Sequence, residues 1–224
     1  MTQIKRLIEL IVNFYAKLNN FSFPNKFTWK WKLEMLFHNY EKETTELFKK
    51  IIKPGMTVID IGAHIGYFTR LFSKLVGEKG KVFAFEADPI NFSFLKRNTF
   101  HLTNTIIINK AVSEQNGEIS FYHIPDSTGC HSVIKPNRPA EKITIPAVTV
   151  DSIITEYNLI KIDVIKMDIE GGELLALAGM QNLLNKSSGI TIITEYNSLA
   201  LDKLEACCFK LSKIPNSINV LAKK

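Results

Sequence analysis

A chain of 224 residues is long enough to bury a full core without disulfide or metal staples, and it fits one domain. Nearly half of the residues are hydrophobic and 22% are charged, an ordinary balance for a soluble globular protein. The net charge of +6 is concentrated in residues 1–32, where six basic residues face Glu9 alone for a local +5. The near-neutral remainder argues against a nucleic-acid groove running over the whole molecule.

The first predicted element is an amphipathic helix, since Ile4, Leu7, Ile8, Ile11, Phe14, Tyr15 and Leu18 recur at three- and four-residue steps. Glu9, Asn13 and Lys17 interrupt its apolar run and no small-residue cleavage site follows, so it does not read as a signal peptide. Nor does the chain hold an apolar run of about 20 residues that would span a membrane. Three uses stay open for the helix: packing on the body or on another subunit, contact with a membrane surface, and a substrate lid. NNFSFPNKFTWKWK (19–32) then reads as a connector rich in aromatics and lysine.

A helix over about 40–52 stops at Pro54 and Gly55. From there the chain alternates: strand 57–62, helix 66–76, strand 81–87, helix 89–101, strand 105–111. Pro89 lies in a first helical turn, where its missing N–H costs least. This βαβαβ rhythm requires a parallel sheet with right-handed crossovers. GEISFYHI (117–124) and EKITIPAVTV (141–150) read as extended segments flanking a loop at 125–140. The alternation resumes with strand 164–169, helix 173–184, strand 190–195, a short helix at 199–207 and closing strands near 209–213 and 218–222. The expectation is an α/β, Rossmann-like, doubly wound domain over 40–224, preceded by a helical extension and connector over 1–39.

VIDIGAHIGYFTR (58–70) carries the first functional signal. A glycine turn between strand and helix suits a phosphate, yet Asp60 stands two residues before Gly62. Only Gly62 and Gly66 of a nicotinamide-type G-x-G-x-x-G are present, with His64 between them. An acid beside the turn suits a ligand carrying a cation, and S-adenosylmethionine meets that demand. Its amino group is positive, its carboxylate can take the helix N-terminus near Gly66, and its ribose offers two hydroxyls to an acid. Glu86, at the end of the second strand and 26 residues after Asp60, supplies such an acceptor at the strand ends where open parallel sheets bind ligands.

YEKETTELFKKIIKPGMTVIDIGAHIGYFT (40–69), FAFEADPINFSFLKRN (83–98), INKAVSEQNGEISFY (108–122), VTVDSII (148–154) and IKMDIEGGELLALAGM (165–180) together resemble the FkbM-type methyltransferases, a class I S-adenosylmethionine-dependent family. The resemblance covers about 40–196, and SINVLAKK (217–224) is similar to the family's closing strand. It implies a seven-stranded, mainly parallel sheet with the last strand antiparallel, and O-methylation of a hydroxyl on a sugar, lipid or secondary metabolite. Carried onto this chain, it implies that Asp60 faces the methionine amino group and that Gly62 and Gly66 line the methionine part, with Ala63, His64, Tyr67 and Phe68 in the same turn. His64 is then a loop-bracing side chain. Glu86, followed by Ala87, would hold the ribose, and Ala111 and Val112 would lie near the adenine.

Methyl transfer to an alcohol needs a positioned nucleophile and a proton acceptor. KMDIEGGE (166–173) sets Asp168, Glu170 and Glu173 around one turn, with Asp168 and Glu170 expected on one strand face, and Glu195 ends the next strand. Asp168 is the first choice for cofactor or substrate contact and for the base, followed by Glu195 and Glu170. Glu173 is either a helix-start acid or a substrate contact, and Lys166 a neutraliser of the acids. His131 is a candidate base or substrate contact. No metal-ligand set is recognisable, so no metal is expected. A small-molecule, glycan or lipid acceptor is expected and a nucleic acid is not. A peripheral membrane or subunit contact through residues 1–32 stays open.

Cys130, Cys207 and Cys208 form neither a metal-like spacing nor a disulfide framework, which points to a reducing, cytoplasmic setting, with or without membrane association. Two other readings stand beside this one. A nucleic-acid or protein amino-methyltransferase often carries Asn/Asp-Pro-Pro-aromatic where this chain has DIEGGE. A non-catalytic S-adenosylmethionine-binding partner would not require the acidic rim.

Overall fold

The computed structural model describes residues 3–25, 27–125 and 127–224; Lys26 of the connector and Asp126 of the 125–140 loop lie outside the described residues, as do Met1 and Thr2. In chain order the elements are α1 (Gln3–Leu18), α2 (Trp29–Leu36), α3 (Lys42–Ile51), β1 (Thr57–Ile61), α4 (Tyr67–Val76), β2 (Lys81–Phe85), α5 (Pro89–Thr99), β3 (Thr105–Ile108), β4 (Ala111–Val112) and β5 (Gly117–His123). They continue with β6 (Glu141–Val148), α6 (Val150–Glu156), β7 (Val164–Met167), α7 (Glu173–Ala178), α8 (Gln181–Lys186), β8 (Thr191–Glu195), α9 (Ser198–Ala206), β9 (Lys210–Lys213) and β10 (Asn219–Lys223).

Seven strands form one sheet in the order β3-β2-β1-β7-β8-β10-β9. It is parallel except for β10, which runs antiparallel to both of its neighbours. Because side chains alternate along a strand, β1 feeds two cores. Ile59 and Ile61 point to the side covered by α6, α7, α8 and α9. Val58 points to the opposite side, with Phe48 of α3 and Phe68 and Phe72 of α4. Burial on both faces explains why β1, β2 and β7 read as near-continuous apolar runs. Asp60 shares the α4 side and is fully buried.

Several expected elements differ in detail. The third strand does not run through 105–111. It stops at Ile108, and Ala111–Val112 joins a second sheet of order β4-β6-β5. The Asn109 side chain explains the break, because its Nδ2 donates to the carbonyls of Glu86 and Ala87 at 2.7 and 3.3 Å and turns the chain away. The helix expected over 173–184 is two helices. Gly179 packs so tightly that a Cβ there would lie 1.9 Å from the Ser113 carbonyl oxygen. Beyond it, Asp151 of α6 accepts from the amides of Asn182 and Leu183 and starts α8 anew. α6, capped by Thr149 on the Ser152 amide, and α2, capped by Thr28, were not read from the sequence as helices. The connector therefore holds a helix whose Met35 is buried in the α4-side core.

β5 and β6 form a hairpin whose long loop folds back on the main sheet. Tyr122 bridges Ser132. Ser132 Oγ donates to the Glu170 carbonyl at 2.7 Å, and Asn91 Nδ2 of α5 donates to the Thr128 carbonyl at 2.7 Å. The loop is thus fastened to α5 on one side and to the turn after β7 on the other. Among the described residues, no helix is long and apolar enough to cross a membrane.

Candidate active site

The strand order reverses beside β1, so the C-terminal ends of β1, β2 and β7 flank the crevice where such sheets bind ligands. A cavity of about 460 Å³ opens there, within the range of small-molecule sites. Gly62, Ala63, His64, Tyr67, Phe68, Glu86, Ala87, Ala111, Val112, His131, Asp168 and Glu170 all line it, whereas Asp60, Gly66, Glu173 and Glu195 do not.

The turn after β1 is built on close approach. Gly62 has φ of +78°, and a Cβ there would lie 1.9 Å from the Asp168 carbonyl oxygen, so only glycine lets the ends of β1 and β7 meet. The amides of Gly62 and Ala63 both donate to the Phe85 carbonyl. The His64 amide donates to Glu86 Oε2 at 2.7 Å and the Asp88 amide to Glu86 Oε1 at 2.9 Å. Glu86 therefore braces the turn, while each oxygen keeps lone pairs for a further donor. Its burial raises the carboxyl to about 7 against the help of those two amides. The buried His64 ring stacks on Phe27, and burial lowers its pKa to about 4, so it is neutral.

Lys166 sits at the centre of the acidic end. Register places it beside Asp60 across β1 and β7, and its Nζ lies 3.0 Å from the Gly62 carbonyl, 3.4 Å from Asp168 Oδ2 and 3.8 Å from Asp60 Oδ1. Burial disfavours the Lys166 charge, but Asp168, Asp60, Glu41 and Tyr40 together outweigh it and hold the pKa above its ordinary value. Asp60 lies behind this ammonium. Thr69 Oγ1 donates to its Oδ2 at 2.6 Å, its Oδ1 has no hydrogen-bond partner among the described residues, and burial raises its pKa. Asp60, expected to face the ligand amino group either directly or through water, stands behind Lys166, which lines the cavity where Asp60 does not.

The turn after β7 separates the remaining acids. The strand ends at Met167, and Glu170 has a left-handed φ of +55°, so Asp168 and Glu170 do not share a strand face. Partial burial and the neighbouring Asp168, Glu195 and Glu173 raise the Glu170 carboxyl to about 7. Glu173 starts α7 and is buried away from the cavity. It accepts from the amides of Ile169 and Gly171 and from Asn197 Nδ2, which is the helix-start and turn-bracing placement rather than a wall position. Glu195, half-buried at the end of β8, is raised by burial, Asp168 and Glu173.

Further wall residues come from the connector, a segment expected to contribute to the pocket, and from the segment before α3. Phe27, Thr28, Trp31 and Met35 close one side, and Tyr40 and Glu41 stand near Lys166. Asn219 Nδ2 of β10 donates to Glu41 Oε2 at 2.8 Å. The only signal for them was the density of aromatics in the connector and an acid just before α3. Next to the cavity, Asp88, His123 and His131 offer ligand atoms within 4.8 Å of one another. His123 Nδ1 and Asp88 Oδ2 are 2.6 Å apart. The two rings stack with an interplanar angle of 21° and centroids 4.3 Å apart, and His131 Nε2 lies 3.9 Å from the same Asp88 oxygen.

Comparison with known proteins places these observations in a family. A Methyltransferase FkbM domain model matches residues 60–211. The chain is 31% identical over 154 residues to the hexuronic acid methyltransferase AglP of Haloferax volcanii, covering 68% of this chain and 61% of that protein. It is 28% identical over 165 residues to the 2-O-methyltransferase NoeI of Sinorhizobium fredii, covering 66% of each. The chain thus spans about three-fifths to two-thirds of the length of these curated relatives. The crystal structure of methyltransferase FkbM from Methylobacillus flagellatus KT superimposes with a TM-score of 0.53 at 16% identity, over 95% of this chain and 58% of that one. That likeness supports the fold, and with the domain match across two-thirds of its length the chain belongs to the FkbM methyltransferase family.

Proposed function

We propose that this chain transfers a methyl group from S-adenosylmethionine to a hydroxyl of a sugar, lipid or secondary-metabolite acceptor. One observation carries the reading: a single cavity joins a buried carboxylate, Glu86, at the end of β2 to a lysine held among acids at the end of β7. A sulfonium nucleoside has matching ends, a vicinal diol and an amino acid. When bound, the cofactor supplies a methyl already activated for in-line displacement.

Glu86 fits the diol, because it lines the cavity and each oxygen bears one amide only. Asp168 and the Gly62 carbonyl are placed to accept from the ammonium, and Lys166 to pair with the carboxylate. Ala111 and Val112 provide the small apolar wall for the base. With Asp168 engaged by Lys166, Glu170 is the acid at the rim best suited to take the acceptor's proton, since its pKa lies near neutrality. Phe27, Trp31 and Phe68 supply an aromatic wall to the cavity. The domain division at about residue 39 and a reducing, cytoplasmic setting, consistent with the unbridged Cys130, Cys207 and Cys208, belong to the same reading. So does an N-terminal arm of residues 1–32 that contacts a surface outside the domain.

The names of the relatives favour a glycan hydroxyl as the first acceptor class to try. Incubation with S-adenosylmethionine and a panel of uronic acids, oligosaccharides, hydroxylated lipids and RNA should give S-adenosylhomocysteine and an O-methyl product with a hydroxylated acceptor. Transfer to RNA amino groups alone would reject this reading.

A further inference from the structure

α1 touches the body through Val12 and Ala16, each 3% exposed, whereas Ile4, Leu7, Ile11, Phe14 and Leu18 are each at least 59% exposed. At 100° per residue these five fall on one stripe of the helix, and Arg6 and Lys17 fall together along one of its borders. The stripe extends to α2, because Tyr15 stacks on the exposed Phe37 with ring centroids 5.5 Å apart. A contiguous apolar patch of this kind marks an interaction surface.

Charge selects the occupant. Residues 1–32 carry +5, and the rest of the chain is nearly neutral. Within α1, Lys5, Arg6 and Lys17 face Glu9 alone, so a second copy of the same face would set like charges against each other. An anionic bilayer offers an apolar interior for the stripe and negative headgroups for its basic border, the combination that interfacial amphipathic helices use. We propose that α1 lies in the plane of an anionic phospholipid surface, with the exposed end of α2 beside it. The proposal stands apart from methyl transfer, because docking is read without cofactor or acceptor.

The test is cosedimentation of the full chain with vesicles of phosphatidylcholine alone and of phosphatidylcholine mixed with phosphatidylglycerol. Both tryptophans, Trp29 and Trp31, lie in α2, so their emission reports the approach of lipid. The chain should pellet with the mixed vesicles, shift its emission to the blue, and release as salt rises. Leu7→Glu with Phe14→Glu replaces two exposed side chains, so the melting temperature should not change while vesicle partition falls at least about tenfold. Should that pair alter folding, Leu7→Ala with Phe14→Ala must still weaken partition. Equal behaviour toward both vesicle types, or binding that neither pair of substitutions weakens, overturns the proposal. A lipid-free dimer in light scattering that the substitutions convert to monomer also overturns it, and gives the face to a second copy.

Discussion

Glu86 has two partners already in place, the amides of His64 and Asp88, before any ligand arrives. Replacing it by alanine would leave both amides without their acceptor and remove the proposed diol contact. Loss of a hydrogen bond to a charged group is worth about 1.5–3 kcal/mol. Calorimetry on Glu86→Ala should therefore show S-adenosylmethionine binding roughly 10- to 150-fold weaker, together with a lower melting temperature. Glu170 permits a separate prediction. Its carboxyl is raised to about 7 by partial burial and by Asp168, Glu195 and Glu173, so the base form gains population as pH increases through that value. The single-turnover methyl transfer rate should climb across neutral pH and level off above it. Glu170→Gln should be slow and should lose that climb, whereas a rise that persists in the variant would move the proton acceptor elsewhere.

The approach of β1 to β7 depends on Gly62. A methyl group there would overlap the Asp168 carbonyl at 1.9 Å and would hold a side chain at φ of +78°, so the strand ends must separate. Gly62→Ala should lower unfolding stability by about 2–4 kcal/mol in denaturant titration and abolish cofactor binding. Elements whose causes are local were legible in the sequence. The alternating strands and helices from residue 57 onward follow from apolar runs and turn residues, and α5 has its own Asp88 cap and Pro89. Elements decided by distant partners were not. The end of β3 depends on Asn109 reaching carbonyls after β2, and α8 depends on a carboxylate from α6. The site divides in the same way. The motifs after the first, second and fourth expected main-sheet strands placed Gly62, His64, Glu86 and Asp168 on one cavity, but the side chain in front of Asp60 comes from β7, and Glu41 comes from a segment with no chemical motif of its own.

β10 is tied to the start of α3 beside the site. Asn219 of β10 donates to Glu41 and to Thr44, and the hydroxyls of Thr44 and Ser217 lie 3.1 Å apart. Asn219→Ala would remove the donor that positions Glu41. Stability should fall by about 1–2 kcal/mol, and cofactor affinity should fall with it, both measurable by thermal shift with and without S-adenosylmethionine. The place of β10 in the sheet carries a further consequence. This strand slots between β8 and β9 although it is made after both. While the protein is being synthesised, β8 therefore waits with a bare backbone edge until β10 has left the ribosome. Nascent molecules in that interval present a template for edge-to-edge aggregation.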